Sequence, residues 1–401
     1  MLPGQRSETV RRANLSAILR ELHNAGPLSR TDLVARTGLT RSAIRALIGE
    51  LAVSGLVTER RAPPQGTPGR PSPLVHPGPE SGIVLALEIK VDSVAVAAVG
   101  LGGEVLDLVR LDRPRERNSV QETVADLAAL VRQICERRGQ RNGLMGIGVA
   151  VVGIVHRADG TVRLAPNLDW HDVPLGALLA QAIGTTVPIA VANEADLGAL
   201  AELRRGAALG ADHVLFISGE VGVGGGLIVD GQPMTGAVGY GGEVGHMPVN
   251  PNGVRCHCGS VGCWETEAGE GALLVRAGHV ADAGREGVDT VLADAAVGSE
   301  RSLRALDSVG GWLGAGLAGL VNVFNPQVVV LGGLFARIHE FIEQRVGAEL
   351  ARLALPMSRD VVRVVPAALG VDASLLGAAE LAFEPLLSDP AVWIRPAVAT
   401  A

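Results

Sequence analysis

The sequence predicts an α/β protein of two successive lobes, preceded by a small helical head that carries a β-wing. Three observations carry this prediction. Residues 1–76 hold eleven Arg, no Lys and five acidic residues, a net +6, so a chain of net charge −7 leaves −13 for its remainder. Apolar residues in that basic segment recur at helical spacing and halt at glycines. Beyond Pro79 the pattern changes to short apolar strands alternating with longer helical stretches, and the alternation runs twice.

The head comes first. Val10, Leu15, Ile18, Leu19 and Leu22 line one face of a helix over 8–25, which Gly26-Pro27 stops. Ser29 caps a short helix containing Leu33 and Val34 that ends at Gly38. Thr40 caps a third helix with Ile44, Leu47, Ile48 and Leu51 on one face, closed by Gly55. Helix, tight turn and helix at this spacing form a helix-turn-helix. Thr40, Arg41, Ser42 and Arg45 open the outward face of the third helix, where base edges are read. Leu56 to Arg61, a Pro/Gly-rich loop and Gly69-Arg70-Pro71 then form a wing. Its Arg60, Arg61 and Arg70 suit phosphates or a minor groove. A basic head of this form on an acidic body predicts DNA as a partner.

The expected domains are therefore a winged helix-turn-helix over 1–76, a linker over 77–81 and a body over 82–401. The body opens with a meander, Ile83–Ile89, Ser93–Leu101 and Glu104–Leu111, turning at Gly102-Gly103. A helix over 119–138, containing Cys135 as a buried hydrophobe, precedes a buried strand over 144–152. Pro174–Ile183 reads as helix and Val187–Val191 as strand. A second round begins with His213–Ser218 and Gly226–Val229, and continues with a helix over 301–324 and a strand Val328–Leu331. Helices over 334–351 and 372–383 complete it. One lobe spans 82–192 plus the C-terminal helix, the other 193–371. The Gly222–Gly226 run and Gly332-Gly333 read as tight turns between strands and helices.

No basic, apolar secretion signal opens the chain. The uncharged run Ser308–Ala336 is long enough to span a bilayer, but Asn322, Asn325, Pro326 and Gln327 interrupt it, which fits a buried helix followed by a strand. A cytoplasmic protein without a membrane partner is expected.

Three of the four cysteines, Cys256, Cys258 and Cys263, sit within eight positions, just after His246. Three thiolates and one imidazole close a tetrahedral Zn²⁺ site, with Gly259 and Gly262 supplying the turns. All four positions come from protein, so the zinc would be structural. His257, between two of the cysteines, competes with His246 for the fourth place.

Ala165-Pro166-Asn167-Leu168, Asn193-Glu194-Ala195-Asp196, Gly222 to Gly226, Gly242 to His246, the cysteine cluster with Glu265, and Asn325-Pro326 leading to Gly332-Gly333 occur in a specific order. In that order and spacing the body resembles the ROK family (repressors, open reading frames and kinases) over residues 82–385. The resemblance implies an actin-like (ribonuclease H-like), two-lobed ATPase-type fold with a sugar in the cleft, contacted by Asn167, Asn193, Glu194, Glu243, His246 and Glu265. A winged helix joined to this body resembles the ROK repressors of sugar catabolism. The kinases of the family open with Asp-x-Gly-Gly-Thr, and this chain has Glu88-Ile89-Lys90-Val91-Asp92, keeping no position. Lys90 and Val91 bring Cβ atoms to a backbone that has to approach phosphate closely. The family's catalytic Asp corresponds to Glu194, a vestigial base one methylene too long, and Asp196 replaces the motif's last Asn. The sequence thus predicts a non-enzymatic, sugar-responsive regulator, most simply a repressor of carbohydrate-utilisation genes. It would bind operator DNA as a homodimer or homotetramer, with a sugar or sugar-phosphate effector and structural Zn²⁺. The rival readings are a sugar kinase bearing a DNA-binding head, and a constitutive DNA-binding protein with an inert body.

Overall fold

The computed structural model describes residues 7–60, 73–78, 82–115, 119–139 and 143–394. Its head consists of α1 (Ser7–Ala25), β1 (Leu28–Ser29), α2 (Arg30–Thr37), α3 (Arg41–Val53), β2 (Val57–Arg60) and β3 (Leu74–Pro77). Local chemistry sets these limits. Ser29 accepts from the Asp32 amide while Asp32 accepts from Ser29, a complete capping box, and Gly38 closes α2 in the left-handed region. Strands pair in the order β1-β3-β2, with Arg60 opposite Leu74. The head's sheet thus runs to Pro77, into the expected linker, and the Gly78 amide donates to Leu56 O at 2.9 Å. Arg61 and Arg70, at the expected wing tip, lie outside the described residues. Val10, expected on the buried face of α1, is 41% exposed, because the packed stripe begins at Leu15.

The first lobe contains β4 (Ile83–Ile89), β5 (Ser93–Gly100), β6 (Val105–Asp112), α4 (Val120–Arg138), β7 (Leu144–Val151), β8 (Ile154–His156), β9 (Thr161–Ala165), β10 (Trp170–Val173), α5 (Leu175–Ile183), β11 (Ile189–Asn193) and α6 (Glu194–Arg205). Its sheet has the order β11-β7-β4-β5-β6, antiparallel through the meander and parallel from β4 to β11. The second lobe follows with β12 (Val214–Gly219), β13 (Val223–Val229), β14 (Gln232–Pro233), α7 (Trp264–Ala268), α8 (Glu270–Ala277), α9 (Gly284–Ala296), α10 (Glu300–Phe324), β15 (Val328–Gly332), α11 (Gly333–Arg337), α12 (His339–Leu353), α13 (Pro356–Arg359), β16 (Arg363–Pro366) and α14 (Ala373–Ser388). The order β14-β13-β12-β15-β16 repeats the first sheet's logic, a meander followed by parallel strands.

Several expectations need correction. The glycines 224–226 form no turn but lie inside β13, where a Cβ on Gly226 would stand 2.3 Å from Ala195 O of α6. Bare backbone is needed there for helix α6 to lie against the strand. The single helix expected over 334–351 is two, α11 and α12, separated at Ile338. The strand expected at Val187–Val191 runs instead through Ile189–Asn193, which puts Asn193 at the strand end and Glu194 at the start of α6. Cys135 is half-buried. Sheet β8–β10, helices α7–α9 and strand β16 were not anticipated, since each is short or lacks a continuous apolar stripe. Helix α10 ends at Asn325 in the left-handed region, and no described helix is long and apolar enough to cross a membrane.

Helices α6 and α14 pack between the two sheets. Their apolar faces belong to a core that continues from Ala378, Ala382 and Phe383 into Leu15, Ile18, Leu47 and Leu51 of the head. The head and body therefore share one interior.

Candidate functional site

Three groups of expected residues come together. The first is the metal cluster. His246 lies on a 3-10 turn, Val244–His246. The turn forms because Gly245 passes so close to Val223 that a Cβ would stand 2.0 Å from its carbonyl oxygen. Gly259 and Gly262 take φ of +92° and +66°, the left-handed turns that fold the loop back. One donor atom from each of His246, Cys256, Cys258 and Cys263 lies within 4.8 Å of all the others. Cys258 Sγ and Cys263 Sγ are 3.6 Å apart, so they form no disulfide. Thiolates sharing one tetrahedral zinc at about 2.3 Å stand about 3.8 Å apart. The donors present therefore fit a metal ion. His246 turns Nδ1 to Cys256 Sγ at 3.7 Å, whereas the exposed His257 is outside the group.

The second group lines the cleft between the lobes. Asn167, Asn193, Glu194, Glu243, His246 and Glu265 all border one cavity of about 170 Å³. Each arrives by a different local device. Asn193 caps α6, accepting from the amides of Ala195 at 2.7 Å and Asp196 at 3.3 Å, and donates to Gly153 O at 2.9 Å. Most of its carboxamide is thus committed to the strand–helix junction. Glu194 is the first residue of that helix, and burial together with the Glu220 carboxylate pushes it up to about 8, against the pull of Lys90. Burial raises Asp196 to about 6 although Arg157 Nη2 lies 3.2 Å away. Glu243 is raised by burial and partly offset by His246, whose Nε2 is 3.9 Å from its carboxylate. The metal loop thereby presents one imidazole nitrogen to the cysteines and the other toward the cleft.

A larger cavity of about 320 Å³ adjoins, with Glu194 on both walls. Here the lobes are stitched by ion pairs. Lys90 Nζ stands 3.7 Å from Glu220 and 3.9 Å from Glu88. Arg115 reaches Glu270 at 3.0 Å and Arg285 reaches Asp92 at 3.8 Å. Burial opposes the charge of Lys90, but Glu88, Glu220 and Glu194 outweigh it and hold the ammonium above its usual range. Glu88 itself is also bound by Arg110 Nη1 at 2.6 Å. Sequence reading identified Lys90 as an obstruction and missed its partner across the cleft, Glu220, which is 130 positions away along the chain.

The third group is the head's outer face. Thr40, Arg41, Ser42, Arg45 and Arg60 are exposed, and neither Arg41, Arg45 nor Arg60 pairs with a carboxylate among the described residues. Thr40 Oγ1 accepts from the Ala43 amide at 3.3 Å, which fixes the start of α3. Three unpaired guanidinium groups beside a capped helix start form a surface suited to polyanions.

Comparisons with known proteins agree with this layout. The profile described as "ROK family" matches residues 84–384, and that described as "MarR family" matches residues 16–66. The xylose repressor of Bacillus spizizenii is 29% identical over 381 residues, covering 94% of this chain and 97% of its own. A crystal structure of a ROK-family transcriptional regulator, a homologue of the E. coli MLC protein, superposes with a TM-score of 0.76 at 26% identity, over 96% of this chain and 97% of that one. A ROK glucokinase from Streptomyces griseus, in complex with glucose and AMPPNP, gives 0.66 at 30% identity, over 75% of this chain and 99% of its own.

Proposed function

Because the chain belongs to the ROK family and matches a MarR-type profile at its head, we propose that it is a sugar-responsive transcriptional repressor. The observation that carries this reading is the pairing of an exposed, unpaired basic face on α3 with a carboxylate-lined cleft in one continuous structure. Thr40, Arg41, Ser42 and Arg45 read bases in the major groove, and Arg60, with Arg61 and Arg70 of the wing, holds phosphates. Two heads matched to two half-sites raise affinity, so the protein acts as a homodimer or a homotetramer on a palindromic operator. A sugar or sugar phosphate enters between Asn167, Glu243, His246 and Glu265, whose carboxylates and amide match hydroxyl groups. Zn²⁺ on His246, Cys256, Cys258 and Cys263 holds that loop in shape, and with four protein ligands it has no open position for catalysis. The protein works in the cytoplasm.

Phosphoryl transfer is not proposed. It depends on backbone approach to phosphate and on a positioned base, and Lys90 and Val91 occupy that approach while Glu194 holds its proton near neutrality. Similarity to a glucokinase gives the kinase reading its one support, and a coupled assay with ATP and hexoses decides it: turnover in wild-type protein would restore it.

The first test is fluorescence anisotropy of operator DNA from upstream of the protein's own gene, with and without a sugar panel. One sugar is expected to weaken operator binding by about 5- to 150-fold, the usual span of allosteric coupling. Tight DNA binding unaffected by every sugar that binds the cleft would sink the effector, and failure to bind DNA would sink the regulator.

A further inference from the structure

Helix α6 starts in the cleft and ends at the head. Asn193 and Glu194 stand at its N-terminus in the effector cavity. Twelve residues later, about 18 Å along a helix rising about 1.5 Å per residue, Arg205 leaves its last turn. The guanidinium donates to Glu380 Oε1 at 2.6 Å, to Gly102 O at 2.8 Å and to His23 O at 3.3 Å. Its neighbour Arg204 donates to Asn24 Oδ1 at 3.3 Å. His23 and Asn24 close the last helical turn of α1, in the DNA-binding head.

The joint is buried and specific. His23 is fully enclosed and Glu380 nearly so. The Gly102 amide donates to His23 Nδ1 at 3.0 Å, while His23 Nε2 meets both Glu380 Oε2 at 3.0 Å and Arg205 Nη2 at 2.8 Å. Phe383 packs against the same ring, tilted by 58° with the ring centres 4.9 Å apart.

Helix α14 runs beside α6 between the same two regions. Its first turn carries Ser374, bonded to Glu88 and bordering the cavity that contains Lys90 and Glu194. Its other end meets the head again, where Ser16 Oγ donates to Leu387 O at 2.6 Å and Arg20 pairs with Glu384. The two helices cross without clearance: a Cβ on Gly377 would stand 1.9 Å from Leu197 O. Elements packed this closely shift as a unit, because a dense interior does not absorb displacement.

We propose that α6 and α14 form a strut carrying the effector signal from the cleft to the DNA-binding head, anchored there by the buried His23–Glu380–Arg205 joint. The inference rests on the repressor reading. Sugar contacting the first turn of α6 tilts the strut, and the joint delivers that tilt to the end of α1, changing the presentation of α3.

The test is the R205M/E380M double variant, which removes the ion pair without stranding either charge in the interior. Sugar affinity is read by calorimetry, and operator affinity by anisotropy with and without saturating sugar. Expected are sugar and sugar-free operator constants within about threefold of wild type, with the sugar-induced loss of operator affinity cut at least fivefold. Wild-type coupling in the variant would overturn the strut and leave the repressor reading standing. A wild-type protein whose operator affinity ignores bound sugar would overturn both. Hydrogen exchange in wild-type protein gives a variant-free check: sugar should alter protection at the end of α1, and unchanged exchange there alongside an intact operator response would also overturn the proposal.

Discussion

The two ends of the interlobe cleft are built on different principles. At one end, Glu243 and His246 at the Val244–His246 turn and Glu265 of helix α7 border the cavity beside a group of four donors that could hold a metal ion. At the other, where the family resemblance implies phosphate, Lys90–Glu220, Arg115–Glu270 and Arg285–Asp92 tie the lobes to each other. A sugar is read by side chains, so such a site persists if the loop keeps its shape. A phosphate cradle is read by bare backbone, and one Cβ fills it. The difference teaches that one end offers polar side chains to the cavity while the other is closed by ion pairs between the lobes.

The sharpest way to break this comparison is at the metal loop. Cys258→Ala should lower metal affinity at least about 100-fold, beyond the usual cost of losing an outer-shell partner. Elemental analysis should then find the variant nearly free of zinc, while His257→Ala, altering a residue outside the cluster, keeps it. Sugar binding should fall with the metal, because Glu243 and Glu265 lose their support. A metal-free Cys258→Ala protein that binds sugar as wild type does would show that the loop needs no ion to present those carboxylates.

The fastening end is tested by Lys90→Ala. Its ammonium is largely buried, and removing it leaves Glu220, whose side chain is 41% exposed, to water and Glu88 to Arg110 and Ser374. Loss of one partner from such a site should cost about 2–3 kcal/mol, below the full cost for a buried pair because Glu88 keeps its other partners. Urea unfolding reads it directly. The variant should gain no affinity for ATP, since the Cβ atoms at 90 and 91 remain. Measurable ATP binding would show that the lysine alone blocked a surviving nucleotide site.

Much of this layout was legible in the sequence, and what escaped has a common physical origin. Helices α1–α3 and the meander announced themselves through period and caps, because Ser29, Thr40, Gly38 and Gly102-Gly103 act within a few residues. The metal donors were legible because three fall within eight positions. The Gly224–Gly226 stretch was misread as a turn, since its cause is the approach of α6, more than twenty residues earlier. His23, Arg205 and Glu380 gave no signal at all: each is an ordinary polar residue on a helix until the fold places the three in one buried joint. Local chemistry is visible in one dimension, and contacts of long sequence separation are not.

The smallest expected effect lies where the two ends meet, at Glu194. Its carboxyl is raised from an ordinary value of 4.5 to about 8 by burial and by Glu220. In the unfolded chain it ionises near its ordinary value, whereas the folded protein keeps the proton until about pH 8. The folded state therefore binds more protons between those limits, and stability falls as pH rises through that window and levels off above it. Asp196, raised to about 6, contributes mainly in the lower part of the range, and the other raised carboxyls, Glu220 and Glu243, are kept in Glu194→Gln, so the difference between the two proteins from pH 6.5 to 8.5 reads Glu194. Wild-type protein should lose about 1–2 kcal/mol over that interval more than Glu194→Gln, which has no proton to release. Chemical unfolding at the two pH values measures it, and parallel losses in both proteins would place the titrating group elsewhere. A steeper wild-type loss would mean that Glu194 meets neutral pH as a neutral acid. In that form it can donate a hydrogen bond to a hydroxyl group and does not accept its proton.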